Sequence, residues 1–524
     1  MRTTMRDQTQ RIVLHRLLNS VDITTLDFAE KGYTKEEDRQ GWRLFVQTGH
    51  EATPDWKNFI KRHLTATPED VIVNRSCSFI LLVNHANINY ALTGGYGYLL
   101  IKPLADATFG LDVVMRLLDE AQITALHQRN LKGSTRQIFR AVLGYNPLFD
   151  DDNVTRILRS LEGKGIFEGR RFRVTGRSSL TLRTARSAGD IHLVLQEIEQ
   201  VLIQAPKVTF PKGFVTVQDI HEREQLDEMM FNGFKEFWNN KATRDHLYLE
   251  FSEPLIQFRS DKFILTYGHR RIEIPDFDLE IIRDRFYQEG LTILDDASSL
   301  NKLKVTTVDE AGHTLIRAVP IEKMLICELA TNNTNYIRLD GEWLRILDEL
   351  RVNLDERLKT VRVDPQLLPA WARAQHPEEL DYNRATAIAK SWACLDQDFI
   401  QFQGHSRVEL CDQYDSQDGL FVHAKETWGA KSSYLFTQGV VAAEFFKHDM
   451  AFRQACIQKW PTLFNTQSVE QPHTIVFGIA DTKAADDPTF PLNMTYFAKL
   501  SLCDAISRLR EMDYNVILAP IKML

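Results

Sequence analysis

The chain has 524 residues, 44% of them hydrophobic and 26% charged, with a net charge of −8 at pH 7. That balance belongs to a folded globular protein and excludes a low-complexity chain. The longest apolar runs, such as Phe79 to Val83, are far too short to cross a bilayer. An acidic chain also cannot coat nucleic acid with its whole surface.

The N-terminal MRTTMRDQTQ has no apolar signal core. Cys77, Cys327, Cys394, Cys411, Cys456 and Cys503 are scattered, with no CxxC pair. A reducing cytoplasm is therefore the expected location, without a zinc ribbon and without a membrane. The expected class is α+β and multidomain, since a single core rarely serves much more than about 250–300 residues.

Residues 1–120 read as an N-terminal α+β domain. A strand is expected over Arg11 to Leu18. Asp55 suits the N-cap of a helix through WKNFIKRHL. Residues 76–83 and 87–92 form apolar runs around Asn84-His85-Ala86, which predicts a hairpin. Gly94-Gly95-Tyr96-Gly97-Tyr98 lacks the spacing of a nucleotide loop and reads as a tight turn or close packing.

Residues 121–206 form a basic region. Thirteen Lys and Arg face five acids between Ala125 and Arg186, although the chain as a whole is acidic. Asp150-Asp151-Asp152 before VTRILRSLEGKG predicts an acid-started helix ended by glycine. Phe167 to Leu182 predicts a hairpin around Gly176. Arg171, Arg173 and Arg177 share a face there if no bulge intervenes. Arg170, Arg183, Arg136 and Arg140 complete a candidate nucleic-acid-binding set, with Ser178, Ser179 and Thr181 as hydrogen-bonding neighbours. The same pattern also suits a solvated edge hairpin, in which arginines prevent edge pairing. Residues 190–204 predict an amphipathic helix ended by Pro206.

Residues 207–364 read as a middle α+β domain, with helices over 222–239 and 277–288 and strands over 256–267, 313–317 and 322–330. YIRLDGEWLRI predicts a hairpin turning at Asp340-Gly341. Pro365, Pro369 and Pro377 mark the last boundary.

Residues 365–524 predict helix, strand, strand, strand, helix, strand. The helix covers Glu379 to Cys394, and strands cover Asp398 to Gln403, Val408 to Asp412 and Leu420 to Lys425. A second helix spans Ser432 to Lys447, with Ser432 or Ser433 as a suitable N-cap. A strand follows at 474–480, then a helix at 499–511 and a strand at 516–519. Glu409 and Asp412 on one strand and His423 and Lys425 on the next are the chemistry-bearing residues. Positions two apart on a strand share a face. An acid and a lysine so placed can also be paired only with each other.

This order resembles the restriction-endonuclease-like nucleases of the PD-(D/E)xK superfamily and their αβββαβ core. The resemblance implies Asp412 as metal ligand, Lys425 as catalytic lysine, Glu379 as helix acid and Glu409 as a further ligand. It implies that Gln438 contacts DNA or orients Lys425, and that Mg²⁺ or Mn²⁺ is the cofactor. Hard cations of this kind prefer carboxylate oxygens. His423 stands where a second acid is usual. HxK is also similar to the phospholipase D-like motif, in which His423 would be a nucleophile. That motif needs an Asp five residues on, where this chain has Ala430.

Along nearly its whole length the chain is similar to a bacterial family of sporadically distributed proteins of unknown function. The similarity rests on GGYGYLLI, FGLDVV, RVTGRSSLTL, YIRLDGEWLRI, the E-x-x-Y-N of Glu379, Tyr382 and Asn383, VELCDQ…LFVHAKE…SSYLFTQGVVAAE, and the tail MTYFAKLSLCDAISRLREMDYNVILAPIK. Phe and a basic residue usually flank the GYG of that family, unlike Gly94 and Tyr98 here. Patchy distribution implies defence islands by analogy. The resulting expectation is a DNA-directed antiphage protein with metal-dependent phosphodiester hydrolysis in its C-terminal domain. A non-catalytic nucleic-acid sensor or scaffold and an RNA-cleaving toxin are the alternatives. Partners would be DNA or RNA, further copies of the chain, or other defence proteins.

Overall fold

A computed structural model of the chain describes residues 9–39, 41–49, 51–52, 74–130, 136–140, 156–208, 213–217, 219–240, 246–251, 256, 260–291, 298–309, 312–331, 333–400, 408–466 and 471–524. The expected helix over 56–64, with its cap at Asp55, lies outside them. The fold is mixed α+β, built on several sheets. Among the described residues no helix is long and apolar enough to cross a membrane. All six cysteines are free thiols, and only Cys77 is exposed.

The first sheet has ten strands. They are β1 (Gln10–Arg16), β2 (Thr34–Arg39), β3 (Trp42–Gln47), β4 (Ser78–His85), β5 (Ile88–Gly94), β6 (Ile123–Asn130), β7 (Arg136–Arg140), β8 (Arg156–Phe167), β9 (Arg170–Gly176) and β10 (Leu180–Thr184). Their order is β2-β3-β4-β5-β1-β10-β9-β8-β6-β7. Segments 1–120 and 121–206 thus contribute strands to one sheet, joined where β1 pairs with β10. Helices α1 (Phe109–Leu117) and α2 (Ile191–Ile203) bury one side of it around Leu14, Val114, Leu182 and Leu195.

One expectation is corrected here. VTRILRSLEGKG is not an acid-started helix, since 156–167 is a strand paired with β6 and β9. Its glycines serve packing. A Cβ on Gly163 would lie 2.5 Å from the Gln122 carbonyl oxygen and 2.6 Å from Leu118. The expected hairpin around Gly176 forms, with β9 and β10 pairing across 177–179, and a further turn at Glu168-Gly169, where both residues have positive φ, joins β8 to β9.

The middle segment holds β11 (Phe214–Thr216), α3 (Ile220–Asn240), β12 (Leu247–Leu249), β13 (Lys262–Tyr267), β14 (Arg270–Ile274) and α4 (Leu279–Gln288). It continues with β15 (Leu303–Val308), β16 (Thr314–Pro320), β17 (Leu325–Thr331), β18 (Thr334–Leu339), β19 (Glu342–Ile346) and α5 (Asp348–Lys359). They make a five-stranded sheet, β11-β19-β18-β17-β12, and a four-stranded one, β14-β13-β15-β16. The Asp340-Gly341 turn forms as expected, both residues having positive φ.

The last sheet has six strands, ordered β20-β25-β24-β23-β22-β21. In chain order the segment runs β20 (Arg362–Val363), α6 (Glu379–Lys390), β21 (Ala393–Cys394), β22 (Gln413–Asp415), β23 (Leu420–Glu426), α7 (Ser432–His448), α8 (Met450–Lys459), β24 (Thr474–Ala480), α9 (Tyr496–Glu511) and β25 (Asn515–Ile521). β21, β22 and β23 pair antiparallel, whereas β23, β24 and β25 are parallel.

Parallel strands are covered on both sides, which explains their unbroken apolar character. Phe421, Phe477 and Ile479 face α7 and α9, while Val422, Ala424 and Val476 face Leu368 and Trp371. Residues 408–412 make only a bridge from Val408 to Ile400, and 401–407 lie outside the described residues. α7 starts at Ser432 after a 3₁₀ turn at 429–431, and neither Ser432 nor Ser433 caps it.

The middle and last segments share a core in which Ile337, Leu344 and Leu354 join Phe436 and Phe497. The buried Glu328 carboxylate of β17 accepts the Tyr496 and Phe497 N–H groups at the start of α9, at 2.8 and 2.7 Å. Lys499 meets Asp355 of α5 at 2.7 Å.

Candidate metal centre

Ligands of open α/β sheets gather outside the carboxyl ends of strands, and the candidate site lies there, at the end of β23. Lys425 is the penultimate residue of that strand. Asp412 immediately precedes β22, and its N–H donates to the Val422 carbonyl at 2.9 Å. Its carboxylate then accepts the Ala424 N–H at 2.6 Å. The ladder between β22 and β23 thereby fixes Asp412 beside the residue that precedes Lys425.

Asp396 follows β21, in a turn where Gln397 has φ 62°. That turn aims the Gln397 N–H at Glu409, 2.5 Å away. Asp396, Glu409 and Asp412 each offer a carboxylate oxygen, and these oxygens lie within 4.8 Å of one another. Three converging carboxylates are the donor set that a hard divalent cation takes.

Further side chains hold this group. Asn383 donates to Asp396 at 2.7 Å and accepts from Gln413 at 2.8 Å. Gln438 of α7 donates to the second oxygen of Glu409 at 2.9 Å. Glu379, in the first turn of α6, meets the Lys425 ammonium at 3.5 Å. That ammonium also stands 5.3 Å from the centre of the Tyr434 ring. α6 itself is anchored by Tyr382, which stacks on Trp371 at 4.6 Å and donates to the Pro369 carbonyl at 2.8 Å.

Burial, reinforced by Asp396 and Glu379, pushes the Glu409 carboxyl up to about 7. Burial and then Glu409 and Glu379 drive the Asp412 carboxyl well above the usual range. Burial raises Glu379 too, while Lys425 pulls it back. Burial alone would lower the Lys425 ammonium, but Glu379, Tyr434 and Asp412 hold it above its ordinary value. The pocket has more negative charge than its single lysine balances. A bound cation would relieve that excess, so the residues present fit one.

The structure thus brings Asp412, Glu409, Glu379, Lys425 and Gln438 together. Gln438 reaches Glu409, and Lys425 rests against Glu379 and Tyr434 instead. His423 shares the α7-facing side of β23 but lies a step deeper. It is fully buried, its ring 6.4 Å from that of Phe477, and neither ring nitrogen has a partner among the described residues. Burial pushes its imidazole down to about 3, so it is neutral.

Asp396 and Asn383 join the site without having been candidates from the sequence. Asn383 had a signal, since it follows Glu379 by four residues and so shares its helix face. Asp396 had none beyond its type.

The arginines lie elsewhere, on the first sheet. Arg171, Arg173 and Arg183 are exposed on it. Arg177 sits just after β9, with its Nε 3.3 Å from Ser160 Oγ. Arg170 begins β9 at the first hairpin turn. Arg136 and Arg140 hold register positions on β7, opposite Arg129 and Ala125, and their side chains lie outside what is described.

Fold and site together define a multi-sheet α+β protein with a carboxylate-rich candidate metal centre in its last segment. The chain belongs to a family of unknown function, DUF6119, whose match runs over residues 12–522. No curated protein and no solved structure matches it.

Proposed function

We propose that the C-terminal segment hydrolyses phosphodiester bonds with the help of a divalent cation, and that the protein acts on DNA, in defence against foreign DNA. The observation that carries this reading is the convergence of Asp396, Glu409 and Asp412 beside Lys425 at the end of β23. Supporting it is the order α6-β21-β22-β23-α7-α8-β24, which follows the helix and strand order of restriction-endonuclease-like cores with one added helix, α8.

On this reading Asp396, Glu409 and Asp412 hold Mg²⁺ or Mn²⁺, which lowers the pKa of bound water and stabilises charge developing on phosphate. Lys425 supplies a point charge beside the scissile phosphate or the attacking water. Glu379 keeps its ammonium in place, and Gln438 and Asn383 orient Glu409 and Asp396. The acid absent at His423 is replaced in space by Glu409 and Asp396, which arrive from neighbouring backbone.

A non-catalytic nucleic-acid sensor or scaffold is the second reading. It is favoured by the neutral His423 in the core and by carboxyls that hold protons near neutrality. Plasmid DNA and structured RNA, each incubated with the protein in Mg²⁺, Mn²⁺ or chelator, separate the two. Metal-dependent cleavage of DNA, abolished in Asp412→Ala and Lys425→Ala, is the expected result. Cleavage that survives both substitutions would remove the site assignment. Cleavage of RNA alone would turn the protein into an RNA-cleaving toxin, and no cleavage at all would leave the sensor.

A further inference from the structure

α1 and α2 pack on one side of the ten-stranded sheet. On the other side, among the described residues, Phe28, Tyr33, Phe45, Ile80 and Leu82 make an apolar layer over β3, β4 and β5. Beyond that layer the same side carries charge. Arg11 of β1, Arg183 of β10, Arg171 and Arg173 of β9 and Lys164 of β8 are all exposed. Their strand neighbours Leu182, Val174 and Leu161 are buried against the helices. Strand alternation therefore puts the five cations together on the open side.

The register sharpens this. Arg11 sits directly opposite Arg183, and Lys164 directly opposite Arg173. Like charges so opposed are destabilising. Glu162 is the one acid bound into this patch among the described residues. Its Oε1 takes Arg173 Nε at 2.8 Å, and its other oxygen takes the Thr175 hydroxyl at 3.3 Å. Each of the five cations has a ladder partner on one side only, because the β1–β5, β10–β9 and β8–β6 ladders stop at Val13, Thr181 and Gly163, yet the five come from four strands and share one face.

Thr175 and Thr181 face each other between the cations, and hydroxyls beside arginines suit phosphate oxygens. A lipid surface fits less well. Ile166, 57% exposed, stands opposite Arg171 as the large apolar side chain of the patch, whereas a membrane-binding face presents an apolar stripe.

We infer that this open half-sheet is a docking surface for the sugar-phosphate backbone of a nucleic acid, centred on Arg11, Arg183, Lys164, Arg171 and Arg173. It deepens the nucleic-acid reading above but does not rest on the metal chemistry. It also adds Arg11 and Lys164, which come from separate parts of the chain. Contacts to backbone alone give affinity without choice of sequence, and that affinity falls steeply with salt.

The test is fluorescence anisotropy of the full-length protein with labelled mixed-sequence duplex DNA, single-stranded DNA and RNA. Chelator is present, so that cleavage does not intervene, and phosphatidylserine vesicles are measured alongside. The variant Arg11→Glu/Lys164→Glu should bind nucleic acid at least ~10-fold more weakly, with a salt slope smaller by about one for each cation replaced. Its melting temperature should hold or rise, because each substitution turns a like-charge pair into an attractive one. A failure to fold is thereby separated from a failure to bind. Equal binding by the double variant, salt-independent binding, or binding to vesicles without binding to nucleic acid would each overturn the surface.

Discussion

At the end of β23, three carboxylates are gathered within 4.8 Å by backbone hydrogen bonds, a positive-φ turn and amide side chains. On the open half of the first sheet, five cations stand exposed, and two of their cross-strand pairings set like charges face to face. Both regions concentrate one sign of charge, but the first does so under burial and the second in water. Buried like charges shift pKa values and demand a compensating ion. Exposed like charges cost little, and they are screened beyond about 8–10 Å. The acid cluster should therefore respond to pH and to divalent cations, and the arginine face to salt.

The largest expected effect lies in the acid cluster. Asp412→Asn keeps an acceptor for the Ala424 N–H but removes the most buried carboxylate. Cleavage should fall by at least ~100-fold, while the melting temperature in chelator should rise. The sign follows from proton linkage. Glu409 holds its proton up to about 7, against an ordinary value of 4.5. Between those values the folded state binds more protons than the unfolded, so stability falls as pH rises through 7. Melting in chelator should thus be lower at pH 8 than at pH 5.5. Added Mn²⁺ should restore it most at pH 8, because metal competes with protons for the same oxygens. In Glu409→Gln this pH dependence should flatten. A cation effect that is equal at both pH values would separate these carboxylates from metal binding.

A smaller effect is expected one step outward. Asn383→Ala and Gln438→Ala each free one oxygen of a ligand rather than a ligand itself. Metal affinity, read by calorimetry, should weaken by about 10–100-fold, the usual range for groups that orient ligands. If both alanine variants bind metal as the wild type does, the amides are structural and Glu409 and Asp396 need no orientation.

Legibility in the sequence followed how local each cause is. β23, α7, β24, α9 and β25 were readable because their apolar patterns and flanking polar residues act within a few positions. The strand at 156–167 was not. Its glycines looked like a helix stop, but they make room for Leu118 and the Gln122 carbonyl oxygen of the neighbouring segment. Asp412, Glu409 and Lys425 were readable as residue types on adjacent strands. Asp396 was hidden because it joins them through a turn at Gln397 and a hydrogen bond from α6. Arg11 opposite Arg183 was hidden further still, since strand register between distant segments leaves no local trace.

His423 gives the smallest expected effect and the sharpest contrast with its neighbour Lys425. It stood in the sequence where the related motifs place an acid, yet it lies in the core against Phe477 and beneath Gly439. A Cβ on Gly439 would come within 3.3 Å of the imidazole. Since the ring is neutral and its nitrogens lack partners among the described residues, an apolar ring of similar shape should replace it. His423→Phe is therefore expected to change stability by no more than about 1–3 kcal/mol, the range of a mild overpacking, and to leave metal affinity unchanged. His423→Asp should not create a fourth ligand. It should instead lower stability strongly, because it buries a carboxylate in an apolar layer without a partner. A gain of metal affinity in His423→Asp, or its loss in His423→Phe, would move the centre from the mouth of β23 into the strand itself.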